Sequence, residues 1–294
     1  MRINIYQIDG EKDTNSVEFC GYDETMIHGG IIPQSYKCVF HGYVNAKTAD
    51  DIYNIFNGFR DSNIGTYQGH SLSVSDIVEI VDDIPEIFGK IDFLYAGADH
   101  VGKIGETVYF TNPEKYYAEI QASNDCGRPM QAEIVAAQHL KLAEPGFYFC
   151  DSIGWKNIEF DKSQSAEMDG IRMLMILPHY PPIETYVKDK LDDLQRAVSD
   201  HCEESRIEYT YPFDDDCMIL GNEEAKLNGM EGNRRLGNGV YAGPIFITGD
   251  DGVGGLCNLT DEQVLKYSEM FADPHDISFE EVQNDVGFTL YGWI

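Results

Sequence analysis

Basic residues are scarce. Lys and Arg number 21 against 51 Asp and Glu, so 294 residues carry a formal net charge of −30. Total charge is ordinary: 24% of residues, close to the ~25% of an average globular protein. An even split would give about 36 residues of each sign, so acids stand where bases usually would. Gripping the phosphate backbone takes a basic patch, and direct DNA or RNA binding is therefore not expected.

Further absences narrow the class. No run of about 18 apolar residues occurs, so no membrane span is expected. The opening Met-Arg-Ile-Asn-Ile-Tyr-Gln-Ile-Asp is too short and polar for a secretory signal, and the cytoplasm is the expected compartment. Seven scattered cysteines, an odd number, do not make a disulfide framework. Cys20, His28, Cys38 and His41 include only one close pair, Cys38-x-x-His41, where zinc takes about four ligands; no metal is expected. A phosphate-binding Gly-Lys-Ser/Thr loop, a dinucleotide fingerprint and a Gly-x-Ser-x-Gly elbow are all missing. No cofactor is expected, and a binding role is favoured over catalysis.

What is present is a full set of core material. Hydrophobic residues make up 43% and aromatics 12%, which excludes disorder of the whole chain. The length suits about two domains. Alternation predicts strands over 2–8, 37–44 and 71–81, and a strand pair, 147–153 and 155–160, around Gly154. Thr48 and Asp51 are spaced as a capping box before Ile52, Ile55 and Phe56. Residues 88–145, with glycine turns and short strands such as 106–111, read as an insertion. The polar stretch 161–170 reads as a linker.

The apolar run Ile171 to Leu177, closed by Pro178, opens a second domain. Strands are expected near 183–187, 206–211, 217–221 and 240–248, with an amphipathic helix over 189–199. Thr260 and Gln263 form a second capping box, and 286–294 is expected as a last strand or docked tail. The expected fold is α+β: two small mixed α/β-sheet domains, 1–165 with a strand-rich insertion at about 88–145, and 171–294.

Two polar segments are candidate binding loops. In Gly69-His70-Ser71-Leu72-Ser73-Val74-Ser75-Asp76, a serine with His70 as base would suit a hydrolase. Alternating serines around Leu72 and Val74, with His70 and Asp76 stapling a turn, explain the same residues; His70, Ser71, Ser73 and Asp76 stand as candidates. The second segment, 222–235, offers Asn222, Glu223, Lys226, Asn233 and Arg234, either for a ligand or for bonds to its own backbone.

The acid itself is unevenly placed. Four stretches, 61–89, 207–225, 236–265 and 267–294, have no Lys or Arg and hold 22 of the acids. Asp214, Asp215, Asp216, Asp273, Asp276, Glu280 and Glu281 are the candidate acidic interaction surface. Duplex DNA carries one charge per ~1.7 Å, or roughly 35 over the ~60 Å of a protein this size, so −30 is of the order a mimic needs. Three consecutive acids at 214–216 more often form a solvated loop than a magnesium site.

Met1 to Asp9, the Gly69–Val78 run and Gly146-Phe147-Tyr148-Phe149-Cys150-Asp151-Ser152-Ile153-Gly154-Trp155 resemble the YodL-like domain. Asn222-Glu223-Glu224-x-Lys226-Leu227-Asn228-Gly229, Asn233-Arg234, Tyr241 to Ile247 and Leu259-Thr260-Asp261-Glu262-Gln263 resemble a companion family of unknown function from mobile elements. Ala225 stands where that pattern has glycine. The resemblance implies a phage or plasmid setting in a bacterial host cell. There the expected function is counter-defence: binding and blocking a host enzyme that acts on DNA or RNA, such as a restriction or CRISPR nuclease, through that enzyme's basic surface. A regulator of a cytoskeletal or replication protein, and a small-ligand-binding protein or enzyme, are the alternatives. The resemblance carries no catalytic residues.

Overall fold

The computed structural model describes residues 1–59, 64–81, 89–91, 94–96, 101–103, 108–110, 118, 121, 144–199, 206–213, 215–237 and 239–285. The chain is α+β, with antiparallel sheets throughout.

The first sheet has the order β2-β1-β3-β8-β9. β1 (Arg2–Ile8) pairs on one side with β2 (Tyr36–Tyr43) and on the other with β3 (Ile77–Ile80). β1 is an interior strand and buried on both faces. Ile3 and Ile5 enter one core with Phe40, Ile52 and Leu72; Tyr6 and Ile8 enter the other with Tyr36, Phe149 and Phe160. The helix α1 (Tyr22–Ile27) precedes β2, and α2 (Ala49–Asn54) follows it. At α2 the Thr48 hydroxyl accepts from Asp51 N at 3.1 Å and the Asp51 carboxylate accepts from Thr48 N at 3.0 Å, the reciprocal box that the sequence spacing predicts. The strands β4 (Gly89–Ile91), β5 (Leu94–Ala96), β6 (Val101–Lys103) and β7 (Val108–Phe110) pair as β4-β7 and β5-β6 inside the expected insertion. The rest of that segment lies outside the described residues. β8 (Gly146–Cys150) and β9 (Trp155–Ile158) turn at Gly154, whose φ of +72° suits glycine.

Two expectations are corrected here. Only the second half of 71–81 is strand; 71–76 is a turn, and Ser75 has φ +78°. The stretch 161–170 is no free linker. Cys38 N donates to Ala166 O, Ala166 N donates to Tyr36 O, and Lys162 reaches buried Glu79 at 2.7 Å. The unpaired edge of β2 takes up its backbone groups, because buried main-chain donors need partners.

The second sheet has the order β11-β10-β16-β13-β12. Its strands are β10 (Ile171–Ile176), β11 (Ile183–Val187), β12 (Ile207–Thr210), β13 (Cys217–Asn222) and β16 (Ile245–Asp250), with β17 (Leu256–Cys257) added to β16. The helix α3 (Leu191–Ala197) lies on one face, over Met173, Met175, Leu220 and Phe246. The helix α4 (Asp261–Met270) lies on the other, where Tyr267 and the following Phe271 cover Leu174, Ile176, Ile219 and Ile247. Residues 240–248 are not one strand: Gly243 (φ +68°) breaks them into β15 (Gly239–Ala242) and β16. β15 pairs with β14 (Gly232–Leu236) as a hairpin, and α5 (Phe279–Asn284) packs Val282 beneath it with Ile277 and Met230. The expected strand over 286–294 lies outside the described residues.

The two sheets share a seam. Tyr43 of β2 is buried in the α3-side core and stacks on Tyr180, ring centroids 4.4 Å apart. Gln68 exchanges hydrogen bonds with Asp169 and donates to Tyr186 O.

Candidate functional site

The candidate residues of the first domain gather at one turn. Gln7, at the end of β1, organises it. Its Nε2 approaches the Tyr67 hydroxyl at 3.1 Å, His70 O at 2.9 Å, His70 Nδ1 at 3.2 Å and Asp76 Oδ2 at 2.9 Å, and its Oε1 accepts from His70 N at 3.0 Å. Asp76 Oδ2 also accepts from Ser73 N at 2.7 Å. The buried Asp76 carboxyl is pushed up to about 7 by desolvation, against the pull of the Ser73 amide, His70 and Gln7.

This arrangement fixes backbone. Ser73 Oγ donates to Ser71 O, and His70 Nδ1 lies 2.8 Å from the same carbonyl; neither serine hydroxyl is bonded to the imidazole. Ser75, which the sequence reading passed over, is the buried serine. Its Oγ accepts from Phe19 N, its carbonyl accepts from the Tyr36 hydroxyl, and its amide donates to Cys150 O. Gln7 was missed too, since a polar residue inside an apolar strand gives no signal of its own. His70, Ser71, Ser73 and Asp76 thus meet in a turn held to β1 and β8, without a nucleophile–base pair.

The second domain holds an open cleft of about 450 Å³. Glu208 and Thr210 of β12, Gly221 and Asn222 of β13, the 223–227 turn, the β14–β15 hairpin and Asp285 line it. Lys226 Nζ binds Asp285 Oδ2 at 2.6 Å, and the same oxygen accepts from Val240 N at 2.8 Å. These contacts hold the Asp285 carboxyl below its usual range, Lys226 first. The Glu208 carboxyl is held above its usual range by partial burial and by Glu223, against Lys226. Glu208 is nonetheless an exposed residue, so the cleft is wet rather than dry. Thr210 and Tyr241 share a hydroxyl bond of 2.8 Å across its end. No His, Cys or Ser is among the described residues that line it.

The loop residues therefore divide. Asn222, Glu223 and Lys226 meet in the cleft, although the Asn222 side chain turns to Val198 O and Glu224 N. Asn233 and Arg234 do not line it. Asn233 Nδ2 donates to Ile176 O and Gly243 O. Arg234 is fully buried, and its Nη atoms donate to Tyr180 O at 2.6 Å, Phe271 O at 3.2 Å, and Asn233 O and Oδ1 at 3.0 Å each. Of the two readings open for these side chains, a ligand or bonds within the chain, the structure gives them the second: they bolt the hairpin to β10 and to the end of α4. Burial is what a sequence cannot display, and it reverses the meaning of a polar pair.

The acidic candidates are mixed as well. Asp215 is tied to Lys266 and the Tyr267 hydroxyl, and Glu281 to Arg235 at 2.5 Å. Asp216, Asp273, Asp276 and Glu280 are exposed. Asp214 lies outside the described residues. Among the described residues no group of three or more His, Cys, Asp or Glu is arranged to hold a metal ion, and no helix is long and apolar enough to cross a membrane.

A family model described as YodL-like domain matches residues 2–96, and one described as Domain of unknown function (DUF3846) matches residues 171–272. The first match ends before β8 and β9, which complete the same sheet; the second takes in that domain's whole main sheet and α4. No curated protein and no solved structure matches the chain.

Proposed function

We propose that this chain, a YodL-like domain followed by a DUF3846 domain, works by binding a macromolecule rather than by catalysis. Its partner in this reading is a host defence enzyme acting on DNA or RNA, such as a restriction or CRISPR nuclease, held through that enzyme's basic nucleic-acid surface. The observation that carries the reading is uncompensated acid. Residues 250–285 hold ten acids and one base, Lys266, and Lys266 is spent on Asp215 at 2.7 Å. The neighbouring cations are spent too: Arg172 on Glu184 and Asp261, Arg235 on Glu281. Asp216, Asp273, Asp276 and Glu280 are left without an ion-pair partner among the described residues. Unpaired charge of one sign steers association with a surface of the other sign. The mobile-element setting that the YodL-like resemblance implies selects defence enzymes as the partner class.

The test is capture from a bacterial lysate on the immobilised chain at low and high salt. Screening shortens from about 10 Å at 0.1 M to about 3 Å at 1 M, so the partner should elute with salt and compete with duplex DNA. Asp273→Asn with Asp276→Asn and Glu280→Gln should weaken capture. Recovery only of proteins that bind no nucleic acid, indifferent to salt, would sink the proposal.

A further inference from the structure

We infer that the cleft between β12, β13 and the β14–β15 hairpin binds a guanidinium or alkylammonium group carried on a short apolar stem. Its volume, about 450 Å³, falls within the ~300–1,000 Å³ of small-ligand pockets. Missing side chains open it. Among the described residues a Cβ on Gly221 would meet only Ile245 Cγ2, at 3.5 Å; α4 covers the same face of the sheet, but none of its residues lines the cleft.

The charge inside selects a cation. Lys226 is the one base among the described lining residues, and Asp285 occupies it at 2.6 Å. Glu208 and Glu223 remain, two carboxylates with no cationic partner among the described residues. An anion would meet two unpaired acids and a lysine already held by Asp285. A cation would relieve their mutual repulsion, which adds to the partial burial that holds the Glu208 carboxyl high. A divalent metal wants six or more oxygens, which this lining does not gather. Leu227, Leu236, Val240 and Ile245 supply apolar wall for a methylene stem, and the Thr210 and Tyr241 hydroxyls offer further acceptors to a group with several N–H donors.

The inference does not rest on the acidic surface proposed above, because Glu208 and Glu223 are separate from Asp273, Asp276 and Glu280; salt-released capture and cation binding fail independently.

The test is an NMR titration of the full ¹⁵N-labelled chain with n-butylguanidinium and with its neutral isostere n-butylurea. The cation should shift the amides of Glu208, Gly221 and Val240 and saturate, and butylurea should not. Glu208→Gln combined with Glu223→Gln should weaken binding about tenfold or more, since two charge-assisted contacts are lost. Gly221→Leu should abolish it by filling the cleft. Equal binding of butylurea overturns the inference, as do shifts spread over α4 rather than the cleft, or an unchanged affinity in the carboxylate variant, whose surface substitutions leave the fold intact. The tripeptide acetyl-Gly-Arg-Gly-amide separates the sources of the group: tighter binding than butylguanidinium assigns the cleft to a protein side chain, weaker binding to a free small-molecule cation.

Discussion

Adjacent arginines in β14 give the sharpest test of the structure. Arg234 is fully buried and Arg235 is exposed. Among the described residues all the acceptors of Arg234 are amide oxygens, and no carboxylate neutralises it. Two of its bonds span the domain: Tyr180 O at 2.6 Å follows β10, and Phe271 O at 3.2 Å caps α4. Hydrogen bonds from a charged donor contribute ~1.5–3 kcal/mol each, so these two bonds account for roughly 3–6 kcal/mol. Removing the charge returns part of this, because a buried guanidinium is desolvated; burial indeed lowers its proton affinity. A truncation to alanine leaves the carbonyls unpaired and adds a cavity, which outweighs that return. Arg234→Ala should therefore destabilise the second domain by about 3 kcal/mol or more. Arg234→Met, which keeps the volume and removes the charge, should lose less. Arg235→Ala should leave stability unchanged within error, since its pair with Glu281 is exposed. Urea unfolding followed by far-UV circular dichroism, with hydrogen exchange at β14 and β15, measures all three. An Arg234→Ala midpoint equal to that of Arg235→Ala would refute the structural role and return Arg234 to the list of ligand-binding candidates.

Three other outcomes are expected. Asp76 has a folded pKa of about 7, above the 3.8 of an unfolded aspartate, so its stabilising contribution is fully present below pH 3.8 and is lost as pH rises through 7; Asp76→Asn should flatten the fall in urea midpoint between pH 5 and 8 relative to the parent chain. Thr260→Ala removes the reciprocal box at the start of α4, where Thr260 Oγ1 accepts from Gln263 N at 3.2 Å, and should cost about 1 kcal/mol in thermal or urea unfolding. Gly170 has φ +116° and its Cβ would stand 2.2 Å from Val187 O, so Gly170→Ala should sharply reduce soluble yield, whereas Gly154→Ala, with open space around it and φ +72°, should lose far less.

The elements that were legible in the sequence are those specified locally. Both threonine boxes, at Thr48 and Thr260, close as their three-residue spacing requires. The strand at 2–8 follows from its alternating isoleucines and the strand at 171–176 from an apolar run closed by Pro178. The 71–81 reading failed at its first half, because alternation also describes a turn whose serines point in and out around Leu72 and Val74. Likewise 240–248 read as one strand, yet Gly243 and Pro244 divide it between two sheets.

By itself, then, the sequence determined the α+β class and the excess of acid, because periodicity, capping and charge are properties of neighbours along the chain. Only the tertiary structure decided what each polar residue does. It sent Arg234 and Asn233 into the interior and left Glu208, unremarked in the sequence, on a cleft wall beside Glu223 and Lys226. It also chose which acids are neutralised: Asp215 and Glu281 meet cations 51 and 46 residues away, while Asp273, Asp276 and Glu280 meet none among the described residues. Burial and pairing are set by residues distant in sequence, and neither is encoded in the identity of the residue they act on.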